Sequence, residues 1–301
     1  MVQVMTGTDS YAPIAEEIAR ATGHPFVPTR VDALRGGCIN EAVCLTDGVR
    51  RFFVKRNRAD LAPMFQAEAE GLAAIRATGA IRVPEPICTA IVGQRSWLAL
   101  EYLDLGRALP DSDRRLGAGL AAMHRSTDQA FGWRRDNTIG STPQINQRCA
   151  SWVDFWSRNR LGHQLRLAEA NGWNGALRAR GERLLEKIPA LLDGHQPIPS
   201  LVHGDLWGGN VACDADGEPV VFDPAVYYGD RETDLAMTEL FGGFGSDFYA
   251  AYNDLWPLPQ GYPVRRDLYN LYHVLNHLNL FGGGYFAQSK RLADRLLSEL
   301  G

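Results

Sequence analysis

The period of the apolar positions changes near residue 103. Residues 10–22 repeat at helical spacing, with Ile14, Ala15 and Ile18 on one face. Short β-rich runs follow over 28–34, 41–45 and 51–54, punctuated by Gly36-Gly37 and Asp47-Gly48. A TDG turn between the second and third runs predicts a hairpin. Phe65, Leu72 and Ile75 mark the inner face of a helix over about 63–78, which RVPEP (82–86) breaks. WLALEY (97–102) then reads as a buried strand. Beyond Leu103, residues 112–124, 150–170 and 175–192 carry helical periodicity, as do 231–254 and 266–300. Between those groups, LVHGDLWGGN and VVFDPA read as two short strands with polar loops at their ends. The pattern predicts an α+β chain with a small β-rich lobe over 1–103 and a larger helical lobe over 104–301.

Composition narrows the partners more than the fold. Lys and Arg number 31 against 35 Asp and Glu, a net charge of −4, so nothing global attracts nucleic acid or an anionic membrane. A polyanionic substrate would need a local cluster. The cysteines (38, 44, 88, 149 and 213) contain no CxxC pair, which argues against a disulfide scaffold or structural zinc and for a reducing compartment. The first twenty residues lack a basic segment followed by an apolar one, and no apolar run reaches membrane-spanning length. The expectation is a cytoplasmic globular protein.

The sharpest chemical signal is HGDLWGGN (203–210) followed by VVFDPA. It supplies Asp205, Asn210 in a D-x-x-x-x-N pattern, and Asp223 at the end of the next strand. Phosphoryl transfer from ATP needs a carboxylate for the acceptor's proton and hard oxygen ligands for magnesium, and this order provides all three. Upstream, FFVK places Lys55 at the end of an apolar strand, within reach of nucleotide phosphates. The following helix offers Glu68 or Glu70 as its ion-pair partner. RGGCIN supplies Gly36, Gly37, Cys38, Ile39 and Asn40 as a candidate phosphate loop, and Glu101, Tyr102 and Leu103 have the position of an adenine-binding connector. The spacing predicts a kinase-like, two-lobed machine using ATP and Mg2+. Two residues after Asp205, where protein kinases carry Lys, stands Trp207, a surface for a sugar face or a cationic amine. No long activation segment follows Asp223, so a small acceptor, or a small adduct on a larger protein, is expected.

The chain resembles the fructosamine kinases, or ketosamine-3-kinases, within the aminoglycoside phosphotransferase-like kinases. The resemblance rests on GGCIN, FFVK, FQAEAEGL, DNTIG…TPQIN (136–146), RLGHQLRLA (160–168), HGDLWGGN, FDPAVYYGDRETDLAM (222–237) and NHLNLFGGGY (276–285). It implies a protein-kinase-like fold and phosphorylation of a ketosamine's third-carbon hydroxyl, a deglycation activity. It assigns Asp205 as base, Asn210 and Asp223 as magnesium ligands, 101–103 as the ATP hinge, and Glu68 as the partner of Lys55. It also suggests that His277 lines the acceptor pocket. One departure is Gly209, where many members have Ser; with its neighbours intact, little change is expected.

Other features have plainer readings. His203 orients the catalytic loop, and Asp234 caps its helix or braces that loop. His273 and His277 form H-x-x-x-H without the Glu of a metalloprotease. Cys38, inside the proposed phosphate loop, raises the alternative of a redox-dependent homodimer beside a monomer. Two further readings share the catalytic residues: a kinase for another small amine or sugar, of aminoglycoside or choline type, and a nucleotide-binding pseudokinase.

Overall fold

In the computed structural model, which describes residues 9–34, 40–173 and 175–299, five strands form one antiparallel sheet. Helix α1 (Ala12–Thr22) packs Ile14, Ala15 and Ile18 beneath it. The strands are β1 (Arg30–Ala33), β2 (Glu41–Thr46), β3 (Arg51–Arg58), β4 (Pro86–Val92) and β5 (Arg95–Glu101), in the order β1-β2-β3-β5-β4. The β2–β3 turn closes where the Asp47 carboxylate accepts the backbone N–H groups of Val49 (2.9 Å) and Arg50 (2.7 Å).

Strand β3 is longer than its apolar run implied. It does not end at Lys55 but continues to Arg58, because its ladder with β5 extends to the Arg58–Arg95 pair. Alternation along the strand sends Phe52 and Val54 into the cluster around α1. Phe53 joins the opposite cluster, beneath helix α2 (Ala62–Thr78), and Lys55 shares its face. Strand β4 had no clear signature because it is an edge strand with mostly part-exposed residues and an irregularity between Pro86 and Cys88.

The remainder is mainly helical, with short hairpins between the helices. Helix α3 (Ser112–His124) is followed by a hairpin of β6 (Asn137–Ile139) and β7 (Thr142–Gln144), built from the DNTIGSTPQ segment. Residues 150–170 are not one regular helix. Helix α4 (Trp152–Phe155) widens into a π turn over Trp156–Leu161 before α5 (Gly162–Ala170). Helix α6 (Ala176–Leu191) precedes β8 (Ser200–Val202), β9 (Val211–Cys213), β10 (Pro219–Val221) and β11 (Tyr227–Gly229). The expected helix over 231–254 divides into α7 (Glu232–Leu240) and α8 (Ser246–Leu255) at a glycine-rich turn. That over 266–300 divides into α9 (Tyr262–Phe281) and α10 (Phe286–Ser298) at Gly282–Gly284.

Two pairings position the polar loops. Strand β8 pairs with β11, and β9 with β10. The loop after β8 therefore lies against the segment after β10. Among the described residues no helix is long and apolar enough to cross a membrane.

Candidate active site

The β8 and β10 loops are tied together by backbone bonds. Phe222 N–H donates to the Asn210 carbonyl (3.1 Å) and Ala225 N–H to that of His203 (2.8 Å). Gly204, at φ 83°, permits this approach, since a Cβ there would lie 2.2 Å from the Ala225 carbonyl oxygen. Asp223 sits between the two tethers at φ 56°, a left-handed conformation that a non-glycine residue keeps only where its surroundings fix it. Its carboxylate meets Lys55.

Lys55 is 7% exposed and meets two carboxylates: Glu68 Oε1 at 2.7 Å and Asp223 Oδ1 in a short ion pair. Burial works against its charge, but Glu68 and Asp223 outweigh it and hold the ammonium above its ordinary range. Glu70, the alternative partner, faces away and holds Arg134 (3.0 Å) and Arg135 (3.3 Å). Asp205 is part-buried, and Asn210 Nδ2 donates to its carbonyl (2.8 Å) and its Oδ2 (3.2 Å). Burial and the nearby Asp223 charge push the Asp205 carboxyl up to about 7, against the pull of the Asn210 amide.

His203 and Asp234 lie behind this layer. His203 Nδ1 accepts the Asp205 N–H (3.3 Å) and Nε2 donates to the Phe222 carbonyl (3.1 Å), which fixes the neutral Nε2–H tautomer. Burial depresses its pKa and so favours the same form. Asp234 makes no cap bond to its own helix; its oxygens accept His203 N–H (2.6 Å) and Gly204 N–H (2.8 Å). His124 approaches the same carboxylate at 3.1 Å. Of the two readings offered for Asp234, the geometry is that of a brace.

A third layer had no reading in the sequence. The β6–β7 hairpin sends Asn137 to the Val226 carbonyl (2.8 Å) and Gln144 to the Ala225 carbonyl (3.0 Å). Asn146 bonds Asn137 (2.8 Å), Arg160 bonds Asn146 (2.8 Å), and Tyr272 donates to Gln144 (2.7 Å). These buried amides pin the backbone just past Asp223. Their signal was present as DNTIG and TPQ, but polar residues in a loop-like segment give no sign of burial.

Most of the other expected residues have partners of their own. Glu101 binds the Glu85 N–H through its side chain (3.1 Å) and donates its own N–H to the Glu85 carbonyl (2.8 Å). Tyr102 lies under the Arg51 guanidinium, 4.7 Å from its ring centre. Among the described residues, neither backbone group of Leu103 is engaged. Of the phosphate-loop residues, Gly36, Gly37, Cys38 and Ile39 lie outside the described residues; Asn40 accepts the Asn57 amide at 2.7 Å. Cys44 and Cys213 are buried. Trp207 is 39% exposed and lies over Gly209, where a Cβ would come within 2.3 Å of the indole. The departure at 209 therefore bears directly on the Trp207 ring. His277 Nδ1 donates to the His273 carbonyl (2.8 Å), which leaves its Nε2 unprotonated. A further group of possible ligands, His195, Asp230 and Glu232, is committed to internal bonds: Asp230 to His195 and Tyr269, Glu232 to Arg265.

Hard oxygen donors converge at one place. The Asn210 amide nitrogen is spent on Asp205, among the described residues no hydrogen bond engages its Oδ1, and one Asp223 oxygen meets Lys55. That donor set suits a small hard cation.

The fructosamine kinase family model matches residues 10–299. A probable ketoamine kinase of Synechocystis sp. is 50% identical over 285 residues, covering 94% of this chain and 96% of the relative. A chloroplastic protein-ribulosamine 3-kinase of Oryza sativa subsp. indica is 43% identical, covering 90% and 80%. Among solved structures, a putative fructosamine-3-kinase from Haemophilus somnus 129PT superposes with a TM-score of 0.88 at 30% identity, covering 94% of this chain and 96% of that one.

Proposed function

This chain belongs to the fructosamine kinase family, and from that premise we propose an ATP-dependent kinase that phosphorylates the third-carbon hydroxyl of ketosamines. The observation that carries the phosphotransfer reading is the meeting of Lys55 with Glu68 and Asp223 beside the Asp205–Asn210 pair. Strand β3 and the β10 loop are distant in sequence, and structural needs alone would not gather these five groups. The proposal divides the chain into an N-lobe ending at 103 and a C-lobe from 104, with 101–103 as the adenine connector.

Each residue has a task that its surroundings suit. Asp205 accepts a hydrogen bond from the sugar hydroxyl, aligns its oxygen on the γ-phosphate and takes its proton as the bond forms. A carboxylate whose proton affinity is raised toward 7 is better matched to that step than an ordinary one. Lys55, kept charged by two carboxylates, binds the α- and β-phosphates. Asn210 Oδ1 and Asp223 would hold Mg2+, which would supply positive charge to offset that developing on the phosphates during transfer. His203 and Asp234 fix the loop so that Asp205 needs no reorganisation. Trp207 and His277 form part of the acceptor side.

The test is Mg2+-dependent ATP consumption with a panel of fructosylated, ribosylated and erythrulosylated amines, free and protein-borne. Turnover on at least one, with phosphate on the third carbon, is expected. Turnover only on aminoglycosides or choline would replace the acceptor assignment, and ATP binding without turnover on any acceptor would indicate a pseudokinase.

A further inference from the structure

Trp207 and His277 belong to a larger ring surface. Trp207 meets Phe241 edge-on at 6.2 Å between centroids, and Phe241 lies 4.8 Å from the His277 imidazole. His277 in turn contacts Tyr285 at 5.1 Å and Phe281 at 5.6 Å. The rings come from the catalytic loop, the C-terminal end of α7 and the α9–α10 junction. They are not core: Phe281 is 57% exposed, and Phe241, His277 and Tyr285 are only half-buried. An apolar cluster left open beside a catalytic loop calls for a ligand.

His277 narrows the ligand's chemistry. A carbonyl can only accept, so the 2.8 Å bond to the His273 carbonyl places the His277 proton on Nδ1. Burial depresses the His277 pKa and keeps the ring neutral. Its Nε2 is then a lone-pair acceptor, and among the described residues no donor engages it. An unprotonated nitrogen set among aromatic rings favours a cation that carries an N–H.

We infer that Trp207, Phe241, His277, Phe281 and Tyr285 form a subsite for the protonated secondary amine of the acceptor and the first carbons of its alkyl carrier. In this arrangement His277 Nε2 accepts the ammonium N–H. The inference rests on the ketosamine reading. In a ketosamine the nitrogen is on the first carbon and the phosphorylated hydroxyl on the third. A sugar held at Asp205 therefore has its amine within reach of Trp207, two residues along the loop. The cation rests on ring faces with no carboxylate required, and the carrier leaves along exposed Phe281.

The experiment compares a ketosamine of a small alkylamine with the analogue in which an ether oxygen replaces the N–H. The parent protein should show a KM about tenfold lower or better for the amine. Phe281→Ala, at an exposed position where folding is not at risk, should raise the amine KM about three- to tenfold and leave the ether KM within about twofold. His277→Leu should abolish the preference, and His277→Gln, whose Oε1 still accepts, should retain part of it. The ATP KM and kcat should stay within about twofold throughout. Equal KM values for amine and ether in the parent would overturn the subsite while leaving the ketosamine kinase reading intact, as would variants that weaken both acceptors alike. Phosphorylation of neither compound by the parent would overturn the ketosamine reading and the subsite together.

Discussion

The catalytic loop and the ring surface around His277 meet at Trp207 and are held in opposite ways. In the loop, a chain of hydrogen bonds sets the geometry: His203 and Gly204 donate to Asp234, Asp205 N–H to His203, and Asn210 to Asp205. Bonds of this kind fix positions to fractions of an ångström. On the ring surface, contacts are centroid separations of 4.8–6.2 Å between half-exposed rings, bordered by Gly242-Gly243 and Gly282–Gly284. Rings in edge-on and tilted contact can slide where a hydrogen bond would break. The difference separates two demands on a kinase: transfer chemistry tolerates no misplacement, whereas an acceptor site for varied carriers gains from adaptability.

Perturbing each region should therefore give different signatures. The largest effect is expected from Asp205→Asn, which removes the proton acceptor and leaves the phosphate contacts in place. Its kcat should fall about 10²–10⁴-fold with an unchanged ATP dissociation constant, measured by titration calorimetry. Asp234→Ala leaves the buried N–H groups of His203 and Gly204 without an acceptor, at about 1–3 kcal/mol each. A lower urea midpoint with reduced kcat should appear together; a fall in activity at unchanged stability would assign Asp234 a different role.

Gly209→Ser tests the junction of the two regions. A Cβ 2.3 Å from the indole must push the Trp207 ring aside, and the ring can yield because it is partly exposed. Steady-state kinetics should show the ketosamine KM shifting by about threefold, with kcat and thermal stability preserved. The smallest effect concerns His273, 3% exposed, whose burial holds its pKa down to about 3. The unfolded chain takes up this proton below about pH 6.5 and the folded chain does not. The contribution of His273 is therefore present above pH 6.5 and lost as pH falls toward 3. His273→Phe should flatten the pH dependence of the urea midpoint across that window by about one proton; an unaltered slope would mean that the imidazole is already charged in the folded protein.

Sequence pattern carried the strands and helices that bury a regular face, and it carried the chemistry of HGDLWGGN, whose residue types and spacing are set by phosphates and metal. It misplaced Lys55 because the end of an apolar run is not the end of a strand; ladder pairing with β5, invisible in sequence, extends β3 to Arg58. Residue type alone left Glu68 and Glu70 open for Lys55; the family resemblance pointed to Glu68, and in the fold Glu68 meets Lys55 while Glu70 holds Arg134. Asn137, Gln144 and Asn146 were opaque for a different reason. Buried amides look like surface polar residues until the fold supplies their partners: the carbonyls of residues 226 and 225 for Asn137 and Gln144, and the Asn137 side chain for Asn146. Phe241, Phe281 and Tyr285 fall inside the helices expected over 231–254 and 266–300, and only the breaks after Leu240 and Phe281 bring them to helix ends.

The separation of chemistry from recognition is tested most directly by single-turnover phosphoryl transfer in Trp207→Ala at saturating ketosamine and ATP. The account predicts a ketosamine KM raised about tenfold and a transfer rate, once the acceptor is saturating, within about twofold of the parent. A saturated rate reduced as far as that of Asp205→Asn, with the acceptor KM unchanged, would contradict it: Trp207 would then belong to the reacting machinery, and the two regions would be one.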